Sequence, residues 1–133
     1  MYHLYIKGVA EPDYCAAAYR IVQPDGSVQQ SRRESQQAMQ YERTRASFCM
    51  ELYAAFAAVS HVPDGVEVVF HSNNKTVVSW LTRMTEHTEP PYAEYWSRLC
   101  RRIVEHPLAS IRAEWHKSGT CPPLDELRKF AFR

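Results

Sequence analysis

Side chains able to do chemistry are spread thinly along these 133 residues. The cysteines, Cys15, Cys49, Cys100 and Cys121, form no CxxC pair. They read as isolated buried thiols rather than as a disulfide framework. A zinc site needs close ligand pairs or a histidine cluster, and His71 and His116 are too far apart along the chain to predict one. Cations are more concentrated. Arg98, Arg101 and Arg102 fall within about one turn of a helix and could meet phosphates, although a solvated helix face is the simpler reading. Arg32, Arg33, Arg43 and Arg45 add positive charge without the interleaved exposed aromatics of single-strand binders. One further cation, Lys7, closes the first apolar strand, directly before Gly8.

The elements that must hold these groups follow from periodicity. Residues 2–9 alternate as a strand, and 14–23 form a second apolar run. Pro24-Asp25-Gly26-Ser27 supplies a turn, and 27–34 is a polar edge strand. Residues 43–60 read as a helix whose stripe is Phe48, Leu52, Phe56 and Val59, widened by Cys49 and Tyr53. Pro63-Asp64-Gly65 ends it, and the β-branched run 66–70 predicts a strand buried on both faces. Ser72 or Asn73 can cap a short helix over 74–83, which Glu89-Pro90-Pro91 separates from an amphipathic helix at 92–106. That helix carries Tyr95, Trp96, Leu99, Ile103 and Val104. A strand at 109–115 and a short helix opened by Pro122-Pro123 complete the chain.

The order β-β-β-α-β-α-α-β-α predicts a five-stranded mixed sheet, three antiparallel strands followed by parallel ones, flanked by helices in one α/β domain over 1–133. Sixteen Lys and Arg against 15 Asp and Glu leave a formal charge of +1, so nucleic-acid binding would require a local patch. No apolar run approaches the ~18 residues of a membrane helix, and the N-terminus lacks a signal-peptide pattern. The expectation is a cytoplasmic protein.

Five segments, in order, resemble the ribonuclease H family. Tyr5-Ile6-Lys7-Gly8 resembles its first-strand Tyr-Thr-Asp-Gly. Cys49-Met50-Glu51-Leu52-Tyr53-Ala54-Ala55 resembles its Met-Glu-Leu helix, and His71-Ser72-Asn73-Asn74 resembles the Ser-Thr-Asp-Ser that ends the fourth strand. Glu114-Trp115-His116-Lys117-Ser118-Gly119 resembles Glu-Trp-Val-Lys-Gly-His, and Leu124-Asp125-Glu126-Leu127 resembles Cys-Asp-Glu-Leu of the last helix.

The resemblance implies a nuclease site with four acids around two Mg²⁺ ions about 4 Å apart. Those four positions here read Lys7, Glu51, Asn73 and Asp125. Asn73 could still offer a neutral oxygen. Lys7 reverses a charge where the family's first aspartate bridges both ions, and a swing of two charges at ~4–5 Å costs a divalent ion several kcal/mol even at an effective dielectric near 20. Glu11 and Asp13, placed in a loop after the strand, are the nearest replacement acids. The family's mobile histidine falls near Gly119, three residues beyond His116. The first loop, Ala10-Glu11-Pro12-Asp13-Tyr14, is bulkier and more acidic than the family's glycine-rich one. Ser47-Phe48-Cys49 replaces the family's polar Asn-Asn-Arg, and between Thr82 and Tyr92 only Arg83 is basic, where some members carry a basic protrusion.

These departures imply a ribonuclease H-like chain with a degenerate site, acting without catalysis as a binding module for nucleic acid, weakly for an RNA–DNA hybrid, or for a protein. One alternative is an altered Mg²⁺- or Mn²⁺-dependent nuclease using Glu51, Asp125 and Asn73; another is a purely structural or protein-interacting unit. The first reading involves no cofactor. A helical wheel puts Glu51 beside the apolar stripe, half-solvated. Lys7 Nζ is accordingly expected to take the place of a metal ion and bridge Glu51 and Asp125.

Overall fold

The computed structural model describes residues 1–35, 42–83 and 93–132, with side chains placed from Trp96 onward in the last of these segments. Five strands form one sheet: β1 (Tyr2–Glu11), β2 (Tyr14–Val22), β3 (Val28–Glu34), β4 (Glu67–Ser72) and β5 (Ser110–Trp115). Their spatial order is β3-β2-β1-β4-β5. β1 pairs antiparallel with β2, and β2 with β3; β1–β4 and β4–β5 are parallel. The expected mixed sheet is therefore present. The helices are α1 (Arg43–Val59), α2 (Lys75–Thr82), α3 (Ala93–Glu105) and α4 (Pro122–Ala131). The expected break at Glu89-Pro90-Pro91, most of the segment between Thr82 and Tyr92, and the side chain of Tyr95 lie outside the described residues.

Alternation along β1 sorts its side chains to two cores. Leu4 and Ile6 join the large cluster built with Met50, Leu52, Ala54, Phe70, Leu81, Trp96 and Leu99, beneath α1. Val9 faces the other way and joins Ala16, Ala18, Leu127 and Ala131 beneath α4, with Tyr5 packed against them. β4 is buried from Val68 through Ser72, as its β-branched run predicts.

Several local expectations change. β1 continues through Ala10 and Glu11, and Glu11 pairs with Tyr14, so the first loop shrinks to Pro12-Asp13. On α1 Phe48, Cys49, Leu52 and Val59 are buried as expected, whereas Tyr53 and Phe56 are only half-buried, and Met50, Ala54, Ala55 and Ala58 are buried as well. Small side chains let the helix lie close to its neighbours, so its buried face extends beyond the stripe of bulky residues. Val104, expected in the α3 stripe, is exposed.

Gly8 fixes where α1 sits. A Cβ at this position would collide with the Glu51 amide and the Ser47 carbonyl, both backbone. The Ser47 hydroxyl donates to the Gly8 carbonyl at 3.1 Å, and the Gly8 N–H donates to Glu51 Oε1 at 3.4 Å. Only glycine allows this strand and helix to approach so closely.

Candidate functional site

β1 carries Lys7 to the sheet face that α4 covers. The parallel pairing of Tyr5 with His71 brings the strand ends together, and Lys7 Nζ donates to Asn73 Oδ1 at 3.2 Å. Burial lowers the Lys7 pKa; the carboxylate of Glu51 opposes that shift, the Arg128 guanidinium adds to it, and Asp125 opposes it. Lys7 thus stands in the field of both carboxylates, Glu51 and Asp125. It forms no ion pair with either among the described contacts, however, and its hydrogen bond goes to Asn73. The expected bridge between Glu51 and Asp125 is corrected accordingly. The physical reason is that both carboxylates already have other donors.

Glu51 is 3% exposed, not half-solvated. Its Oε2 accepts from the Ser72 hydroxyl at 2.6 Å, and its Oε1 faces the Gly8 amide. Ser72 Oγ in turn accepts from the Asn74 N–H at 3.0 Å. Burial pushes the Glu51 carboxyl above the usual carboxylate range, against the hydrogen bond from Ser72, the charge of Lys7 and the Gly8 amide. This arrangement fastens α1 to β1 and β4. Asp125, in the first turn of α4, accepts from the Gly119 N–H at 3.1 Å and so pins the preceding loop. Gly119 itself has φ 87°, a left-handed conformation that side chains disfavour.

Asn73 is equally committed, donating from Nδ2 to the His116 carbonyl at 2.7 Å. The cap of α2 is Asn74, whose Oδ1 accepts from the Thr76 and Val77 amides, rather than Ser72 or Asn73. Glu11, a nearby acid, lies 3.4 Å from Arg43 Nη2 instead of reaching Lys7.

Over these residues opens a cleft of about 360 Å³ whose lining includes Lys7, Gly8, Arg43, Ser47, Asn74 and Arg128. Among the described residues its charged lining is cationic. Asn73 and Asp125 line an adjoining depression with Gly119, Arg128 and Lys129. Sequence reading singled out Lys7 but passed over Arg128. The available signal was its position one turn after Asp125, on the helix that packs over β1.

The other expected cationic cluster is placed elsewhere. Arg102 Nη2 donates to the Ser60 carbonyl at 3.1 Å, at the C-terminal end of α1. Ser60 is 13 residues beyond Ser47 along that helix, about 20 Å at the α-helical rise. Arg98 and Arg101 share with Arg102 and Phe56 a surface hollow at that remote end. Arg102 is therefore a helix-end ligand. Arg32 and Arg33 are likewise engaged, with the Ala131 carbonyl and the Tyr53 hydroxyl.

Histidines form a second polar cluster, which the sequence did not predict. His3 Nδ1 lies 2.9 Å from His71 Nε2, and His71 Nδ1 lies 2.8 Å from His116 Nε2. The expectation that His71 and His116 are too far apart for a cluster is corrected. Parallel pairing of β4 with β5 sets His71 opposite Glu114 and carries His116 alongside. Tyr5 stacks on the His71 ring with centroids 4.4 Å apart. Burial lowers the His71 pKa to about 4, opposed by Glu114 and reinforced by His116 and His3, so the ring is neutral at ordinary pH.

No protein-family model matches this chain, and no curated protein sequence matches it. Solved structures do resemble it. RNase H1 from the halophilic archaeon Halobacterium salinarum is 16% identical, with a TM-score of 0.64 and 98% of each chain covered. LC11-RNase H1, solved in complex with an RNA/DNA hybrid, is 18% identical, with a TM-score of 0.68 over 98% of this chain and 96% of that one. The N-terminal RNase H domain of a Mycobacterium tuberculosis protein, solved fused to maltose binding protein, is 14% identical, with a TM-score of 0.66 over 96% and 91%. Strand order, helix placement and these likenesses together show that the chain has the ribonuclease H-like fold.

Proposed function

We propose that this protein is a ribonuclease H-like binding module that grips the phosphate backbone of nucleic acid, an RNA–DNA hybrid above all, in the Lys7 cleft without cleaving it. The observation that carries this reading is the cleft's cationic lining, Lys7, Arg43 and Arg128, at the place where the family's metal acids are expected. Phosphate oxygens are the natural counter-charge for such a surface, and counter-ion release makes their binding favourable. A ribonuclease H1 of the same fold has been solved with an RNA/DNA hybrid, which supports the choice of ligand.

The residues present do not suit the family's Mg²⁺ pair. Mg²⁺ requires carboxylate oxygens in an octahedron. Lys7 supplies a positive charge instead, Asn73 Oδ1 is engaged by that ammonium, and Glu51 is buried with Ser72 on one oxygen. No cleavage step is therefore assigned to the cleft. Glu51 and Asp125 still keep the family's residue types, and the altered-nuclease reading is tested alongside.

The test is a labelled RNA–DNA hybrid incubated with the protein in Mg²⁺ and in Mn²⁺, followed for both retention and cleavage. Retention without cleavage is expected. The double variant Lys7→Asp/Asn73→Asp restores the four acids and is expected to gain metal-dependent cleavage. Cleavage by the unmodified chain that disappears in Glu51→Gln would establish the nuclease reading and overturn this one.

A further inference from the structure

The histidine cluster is a separate site. From its geometry we infer that His71, His116 and Glu114 bind one divalent transition-metal ion of the zinc class, with His3 as the outer partner that orients His71.

Three donor atoms face one another. His71 Nδ1 and His116 Nε2 are 2.8 Å apart, and Glu114 Oε2 stands 3.6 Å from the first and 3.9 Å from the second. The point equidistant from these three atoms lies about 2.0 Å from each, the length of a Zn–N or Zn–carboxylate bond. With bonds of about 2.1 Å the ion stands roughly half an ångström off the plane of the donors, leaving a coordination position open. A tetrahedral ion sets its donors about 3.3 Å apart, so the two nitrogens spread slightly while Glu114 moves in. The carboxylate is free to do so, because its side chain is half-exposed.

The surroundings suit this role. His71 Nε2 points at His3 Nδ1 at 2.9 Å. If Nε2 carries the proton and donates to His3, the Nδ1 lone pair is left facing His116. An outer hydrogen-bond partner on the second ring nitrogen is the usual device for fixing a ligating imidazole. Tyr5 stacked on the ring holds its plane. The two imidazoles are borderline ligands, which favour zinc-class ions over Mg²⁺, and zinc also accepts a carboxylate oxygen as a third ligand. Without an ion, a His116 Nε2–H tautomer can donate to His71 Nδ1; binding the ion moves that proton to His116 Nδ1, so that the neutral ring ligates through its Nε2 lone pair.

The site also bears on the cleft. The His116 carbonyl accepts from Asn73 Nδ2 and its N–H donates to the Ser72 carbonyl. An ion that fixes His116 therefore steadies the residue that holds Lys7.

The test is titration of the untagged full chain with Zn²⁺ against a chelating indicator, with Co²⁺ visible absorption as a report on ligand geometry. One Zn²⁺ per chain is expected, unaffected by millimolar Mg²⁺. His116→Gln and Glu114→Gln should each weaken it at least tenfold, while unfolding curves in chelator show both variants folded like the parent. No binding in the micromolar range, or binding that both variants leave unchanged, would overturn the assignment; the second result would point instead to the cysteines.

Discussion

Asn73 stands between two polar sites that handle charge in opposite ways. On one side its Oδ1 accepts from the Lys7 ammonium, in a cleft lined, among the described residues, by the cations Lys7, Arg43 and Arg128 and no acid. On the other its Nδ2 donates to the carbonyl of His116, whose ring joins a neutral imidazole and an exposed carboxylate. In the cleft, polar groups that could bind a metal each accept a hydrogen bond from the protein, Glu51 from Ser72, Asp125 from Gly119 and Asn73 from Lys7, and the last of these donors is itself a cation. In the histidine cluster, three donors converge, and an ion needs only a change of tautomer at His116 to meet both ring nitrogens. The difference teaches that metal-ligand residue types do not make a metal site. What matters is whether their lone pairs are free and the local charge is compatible.

Breaking the cleft at its foundation gives the largest effect. Gly8→Ala sets a methyl group against the backbone of α1, where nothing flexible can yield. A loss of about 3 kcal/mol or more is expected, read as a lower urea midpoint. A midpoint unchanged within error would mean that α1 does not depend on this close approach.

Glu51 comes next. Glu51→Ala leaves the Ser72 hydroxyl and the Gly8 amide without their partner and should cost about 2 kcal/mol. The milder Glu51→Gln isolates the charge. Because burial raises the folded-state pKa of Glu51, the unfolded chain releases this proton first as pH rises. Stability linked to this group is therefore complete below the ordinary carboxyl range and declines as pH rises toward the folded-state value. The stability of the wild type relative to Glu51→Gln should fall over that interval; a difference independent of pH would contradict a buried, ionisable Glu51.

A smaller effect separates the cleft from the remote arginines. Arg102→Met removes the donor to the Ser60 carbonyl and should cost about 1 kcal/mol of stability while leaving hybrid binding intact. A loss of binding greater than that of Lys7→Gln would move the nucleic-acid surface to α3.

Much of the fold was legible because local patterns agreed with it. The β-branched run of β4, the turn at Pro24-Asp25-Gly26-Ser27 and the proline start of α4 each specify an element without help from the rest of the chain. The candidate positions Lys7, Glu51, Asn73 and Asp125 were singled out only through short motifs resembling a family. Their contacts were not. Whether Glu51 is buried depends on how closely α1 lies against Gly8, and whether His71 meets His116 depends on the register of two strands 38 residues apart in sequence. Register is a property of the assembled sheet. Arg128 escaped notice for a similar reason, since a cation near a helix end looks like ordinary helix chemistry until the cleft beneath it is seen.

The central claim is that Lys7 is a phosphate-binding cation in a cleft that does not cleave. It is tested most directly by measuring hybrid affinity across a range of salt concentrations for the wild type and for Lys7→Gln. Loss of one phosphate contact should weaken binding severalfold irrespective of sequence and reduce the slope of log affinity against log salt by about one. Identical affinities and slopes for the two proteins would contradict the account.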